Sequence, residues 1–149
     1  MSDKSTEPNA EDSNSFFEAS SDQKRCLKLQ FVDRIHMEPK AKAMASAGLN
    51  MTQLNRFFRH CRRIELRLRR KEIEWDQDGK TEVALLCAHA ADAYTKKPPK
   101  IPTEFKDFID ENVGRIHNEE DFLRGFMKHF EALMGFASVY ARPGGDEEA

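Results

Sequence analysis

Only three cysteines, Cys26, Cys61 and Cys87, occur in 149 residues. Their odd number and wide spacing exclude a disulfide framework and predict reduced thiols. Long apolar runs are missing as well. No stretch approaches the roughly 20 residues of a membrane span, and the acidic, polar N-terminus has no signal-peptide core. The expected location is therefore the cytoplasm, with no membrane partner. Glycine is sparse, seven residues in all, and none builds a phosphate-cradling loop. No serine stands in a nucleophile-elbow context, and the carboxylates gather in the tails. These gaps point away from an enzyme and from any cofactor. His60, Cys61, Cys87 and His89 are the candidates for a metal cluster. Cys87 and His89, however, project about 200° apart on a helix, so no metal site is expected and Cys61 and Cys87 read as core residues. A histidine-based ribonuclease through His60 or His89 stays open beside plain packing of those rings.

Charge is the informative quantity. The net value of −2 hides a division: residues 1–22 hold −5 and residues 143–149 hold −3, so residues 23–142 carry +6. The expected organisation is a disordered acidic segment over 1–22, a folded domain over 23–142 and a disordered acidic tail over 143–149. The flexible acidic ends are expected to compete with a polyanion for the basic body. Phe16-Phe17 is the one apolar feature of the first segment and reads as incidental rather than as a docking element.

Eight lysines and arginines fall within the sixteen residues 56–71, RFFRHCRRIELRLRRK. Arg56, His60, Arg63, Arg67 and Arg70 recur every three or four positions and form a ridge on one side of a helix. Leu54, Phe57, Cys61, Ile64 and Leu68 keep the same period on the opposite side. The outward arc lacks carboxylates, since Glu65 and Glu72 project with the apolar residues. Like charges at helical spacing repel unless an anion lies against them. The pattern therefore predicts a nucleic-acid backbone as partner, with a protein or lipid partner and plain solvation as the other readings. The residues expected at the interface are Gln53, Asn55, Arg56, Arg59, Arg63, Arg67 and Arg70, together with Lys96 and Lys97 from a cationic proline-rich connection.

Along the chain, Leu27, Phe31 and Ile35 predict a helix over 24–37, although Leu27-x-Leu29-x-Phe31 also allows a strand. Pro39 is expected to interrupt, AKAMASA to resume a short helix and Gly48 to cap it. Asn50 opens the basic helix with Gln53 in a capping box, and that helix is expected to reach about Trp75. DQDG at 76–79 reads as a turn rather than a calcium loop. Residues 81–94 are apolar nearly all round and predict a central buried helix. Phe105, Phe108, Ile109 and Val113 mark a short helix, and Asn118 caps a last one with the stripe Phe122, Phe126, Phe130, Leu133, Ala137 and Tyr140. The fold class is all-α, a compact bundle of five to six helices without a convincing sheet.

The segment GLNMTQLNRFF, the alanine-rich helix and the closing DFLRGFMKHFEALMGFASVY together resemble the small subunit of type III-A CRISPR effector complexes, the Csm family, over roughly residues 40–141. Thr52-Gln53-Leu54 fits the family's start of a basic helix, and Phe130-Glu131-Ala132 fits its closing helix. Asn55 stands where the family has an arginine, with Arg56 one step further round, and Phe136 replaces a tyrosine. The resemblance implies a non-catalytic subunit present in several copies. Such copies would stack into a filament along guide RNA and target RNA, beside other subunits of the complex. Residues alone leave open an independent helical nucleic-acid-binding regulator, kept alive by Gln53 and Asn55, and an adaptor that docks an acidic protein.

Overall fold

The computed structural model of the protein describes residues 14–19 and 25–142; what was expected of residues 1–13, 20–24 and 143–149 lies outside them. Two short strands, β1 (Phe17–Ala19) and β2 (Arg25–Leu27), pair antiparallel with Phe17 opposite Leu27. Five helices follow: α1 (Arg34–Ser46), α2 (Met51–Arg69), α3 (Lys80–Thr95), α4 (Thr103–Arg115) and α5 (Met127–Tyr140). This is the expected helical bundle with a small sheet added.

Local signals set most boundaries. Asp33 caps α1 by accepting from the His36 N–H at 2.9 Å. The helix expected over 24–37 is instead β2, a 3-10 turn at Leu29–Phe31 and the first turn of α1. Leu29 is 70% exposed in that turn while Phe31 is buried, so neither the fourfold repeat nor the alternation describes the segment. Pro39 does not interrupt either, but lies inside α1. It forfeits one hydrogen bond, to the carbonyl of Ile35, on a face where Ile35 is exposed. Gly48 takes φ 111° and closes α1 as expected. Its N–H reaches the Ala45 carbonyl, and the Leu49 N–H reaches that of Met44, both at 3.0 Å.

Asn50 caps α2 by accepting from the Gln53 N–H at 2.9 Å. The helix stops at Arg69 rather than near Trp75, because Lys71 turns left-handed at φ 62°. The Lys71 and Glu72 N–H groups then close on the carbonyls of Leu68 and Arg67 at 3.1 and 2.9 Å. Residues Trp75–Gly79 form a π-helical turn that runs into α3. The turn is tight at Gly79, where a Cβ would lie 3.0 Å from Leu68 Cδ2 and 3.2 Å from the Glu74 carbonyl oxygen.

Helix α1 lies along α5 and α3 along α4, while α2 supplies rings to both pairs. Phe57 meets Phe105 of α4 at 5.2 Å, and Phe58 meets Phe130 of α5 at 5.1 Å, with Phe108 5.7 Å from Phe130. Helix α3 is not buried all round. Val83, Leu86, Ala90 and Ala93 face the core, whereas Leu85 is 43% exposed. Its alanine-rich composition hid which side met solvent. Asn118 caps the last helical segment through the Asp121 N–H at 2.8 Å. A π-helical turn, Asp121–Phe126, precedes α5.

The reading of Phe16-Phe17 as incidental fails. Both side chains are fully buried, so residues 14–19 belong to the folded body rather than to a disordered 1–22 segment. Phe16 packs 5.0 Å from Phe31 and fits over Gly125, whose Cβ position lies 2.7 Å from the Phe16 ring. Phe17 sits near two guanidinium groups, Arg25 at 5.2 Å and Arg124 at 5.6 Å.

Candidate nucleic-acid interface

Helix α2 divides its charges by what lies beside them. Leu54, Phe57, Cys61, Ile64 and Leu68 are all buried, as the periodicity requires. Burial pushes the Cys61 thiol above the ordinary thiol range, with Glu65 adding to the effect. Glu65 is buried on the edge of this face and clamped from both directions. Arg62 Nη1 reaches one carboxylate oxygen at 2.9 Å, and Arg69 Nη2 reaches the other at 3.1 Å. These two arginines are neutralised and held.

The remaining five have no such partner. At about 100° per residue, Arg56, Arg59, Arg63, Arg67 and Arg70 fall within an arc of about 80°. None has an ion-pair partner among the described residues. Arg67 is half-buried and the other four are exposed. At about 1.5 Å per residue they extend about 21 Å along the helix.

The expected interface residues split into two groups. Arg59, Arg63, Arg67 and Arg70 make the helix track. Gln53, Arg56, Lys96 and Lys97 line a groove of about 640 Å³ at the start of α2, together with Lys100, Pro98 and Pro99. Asn55 is half-buried and lies at the margin of the arc, apart from both groups. Phe136, at the family's tyrosine position, is half-buried beneath the Arg34 guanidinium at 5.6 Å.

His60 does not join the ridge. Its ring leans on His89 of α3 in edge contact, with centroids 5.0 Å apart. Both rings line a cleft of about 290 Å³ with Gln53, Arg56, Phe57, Asp92, Ala93, Lys96 and Lys100. Burial, then the neighbouring His89 and Arg63, hold the His60 pKa below its ordinary value. Cys87 is half-buried, and its thiol is pushed up to about 11 by burial and by Asp110. Among the described residues no group of three or more His, Cys, Asp or Glu is placed to hold a metal ion. No helix among them is long and apolar enough to cross a membrane.

Sequence reasoning missed the Glu65 clamp and the membership of Lys100, His60 and His89 in the cleft. The clamp was signalled by the i−3 and i+4 spacing of Arg62 and Arg69 about Glu65. No local signal places α3 beside the start of α2.

Comparison with the curated proteins and with the solved structures finds no match. A family model described as Csm2 Type III-A matches residues 32–142, a range that takes in all five helices and the arginine arc. The chain therefore belongs to the Csm2 Type III-A family and is a small subunit of a type III-A CRISPR effector complex.

Proposed function

We propose that this subunit holds the sugar-phosphate backbone of the guide RNA–target RNA duplex against the exposed arc of α2. Several copies stack along the duplex, and base pairing supplies sequence specificity. The observation that carries the reading is the arc of five arginines without carboxylate partners among the described residues. Guanidinium groups bind phosphate oxygens in a fixed fork, and a 21 Å track, as estimated above, reaches several phosphates. Amide side chains able to read base edges on the same helix are limited to Gln53 and Asn55, and the arginine arc is suited to shape and charge. Stacking in several copies and a non-catalytic role rest on the family.

The test replaces Arg63 and Arg67 together by Gln. If five phosphates are neutralised on a single strand, log affinity falls with log salt at a slope of about −3.5, and removing two contacts brings it to about −2.1. Between 50 and 200 mM salt the wild type then loses about 130-fold and the variant about 18-fold. Helical circular dichroism and melting temperature stay unchanged, because both side chains leave the core untouched. An unchanged slope, or strong preference for one sequence among unrelated oligonucleotides, contradicts the proposal.

A further inference from the structure

We propose that the cleft between the start of α2, the end of α3 and the Lys96–Lys100 connection is a nucleotide site, taking one unstacked base inside and its phosphate at the mouth. The cleft has three chemically distinct zones. Its floor is apolar, built from buried Phe57 and Ala93, and the small side chain of Ala93 leaves the space open. Its wall carries His60 and His89 in edge contact at 5.0 Å. His60 Nε2 is buried without a hydrogen-bond partner among the described residues, and a buried polar group of this kind is stabilised by any ligand that bonds it. The mouth carries Arg56, Lys96 and Lys100. Lys96 is shared with Asp92 at 3.3 Å, which leaves Arg56 and Lys100 as cations without a carboxylate partner among the described residues.

Each zone removes a competing ligand class. Free phosphate would use the mouth and leave the floor and the orphan imidazole unanswered. A purely apolar ligand would leave the cations facing nothing. A nucleotide answers all three, since a base has a flat face for the floor, edge donors and acceptors for His60 and Gln53, and a phosphate for Arg56 and Lys100. At about 290 Å³ the cleft sits near the lower bound of roughly 300 Å³ for small-ligand sites, and it shares Gln53, Arg56, Lys96 and Lys100 with the 640 Å³ groove. The Lys100 N–H bonds the Ala93 carbonyl at 2.9 Å, which fixes the connection over the end of α3 and holds the mouth in place.

The same chemistry has two sources, a free nucleotide or an unpaired nucleotide of a strand lying on α2. Only the second rests on the RNA-backbone reading. With the full chain, AMP, UMP, ribose 5-phosphate and inorganic phosphate are titrated while the histidine ring signals are followed by NMR. The expected result is that AMP shifts the His60 and His89 signals and binds at least about fivefold tighter than ribose 5-phosphate. His60→Ala and Ala93→Leu, the latter filling the floor without changing charge, each remove that advantage while the melting curve shows the fold intact. The strand-borne source is measured with an RNA duplex carrying one unpaired nucleotide, against the same duplex fully paired. A preference of at least about threefold that vanishes in both variants supports it, even where AMP alone does not bind. The Arg63→Gln/Arg67→Gln protein should keep its AMP response, so failure of the helix track and failure of the cleft are separable. The proposal is overturned if ribose 5-phosphate or phosphate matches AMP and the unpaired nucleotide adds nothing.

Discussion

Replacing Gly125 by alanine should destabilise this protein, although the same change in an ordinary helical segment gains about 1 kcal/mol. The new Cβ would lie 2.7, 2.8 and 2.9 Å from Cγ, Cδ2 and Cβ of Phe16, well inside the 3.5–4.0 Å or so of a relaxed carbon contact. Phe16 has nowhere to move, because it is fully buried with Phe31 at 5.0 Å, His129 at 6.3 Å and the Arg115 guanidinium at 5.9 Å. Forcing the contact costs about 1–3 kcal/mol. Expelling the ring costs about 3–5 kcal/mol, as for Phe→Ala in a core. Setting the propensity gain of about 1 kcal/mol against either leaves a net loss of up to about 4 kcal/mol. At about 2–4 °C per kcal/mol for a chain of this size, the melting temperature falls by up to about 16 °C. In a Phe16→Ala background the same Gly125→Ala change should be neutral or stabilising, giving a coupling of about 1–5 kcal/mol. Urea unfolding of wild type, both single variants and the double variant measures this directly. Stabilisation by Gly125→Ala in the wild type, or simple additivity of the two changes, would refute the seating of Phe16 on this glycine.

Two further outcomes follow from buried polar groups. His129 is buried, donates from Nδ1–H to the Phe31 carbonyl at 2.7 Å, and has its pKa pushed down to about 4, chiefly by burial. Since the folded value lies below the unfolded value of about 6.5, the unfolded chain takes up the proton first. Stability is full above about pH 6.5 and declines toward pH 4. Against His129→Gln, the wild type should lose about 1 kcal/mol more per pH unit between pH 6 and 5, and parallel curves would contradict a neutral buried ring. Glu65→Gln should cost about 1 kcal/mol, because its arginine partners are half-exposed. The same change releases Arg62 and Arg69, so RNA affinity at 50 mM salt should rise and the salt slope should steepen by up to about 1.4. Unchanged affinity would mean that this side of α2 faces away from RNA.

The two faces of α2, the caps at Asn50 and Asn118 and the glycine close at Gly48 were open to a reading of local pattern. Each depends on residues within one or two turns of one another. The burial of Phe16 and Phe17 and the exposed side of α3 depend on partners distant in the chain, whereas the sheet pairs residues six to ten positions apart. Phe16 is core only because Gly125, more than a hundred positions later, leaves a seat for it. Pro39 within α1 shows tertiary packing of Met37, Ala41 and Met44 outweighing a local penalty. At the interface, spacing identified the arginines and also offered Arg62 and Arg69 to Glu65. Both lie outside the arc of about 80°, and the burial of Glu65 holds them there.

Photo-cross-linking of 4-thiouridine-labelled RNA to the protein, followed by peptide mapping, tests most directly whether the open arc is the RNA face. The account predicts cross-links confined to residues 53–70 and 96–100, surviving in Glu65→Gln and reduced in Arg63→Gln/Arg67→Gln. Cross-links concentrated instead on the outer side of α4, where Glu104, Asp107 and Glu111 are exposed, would contradict it.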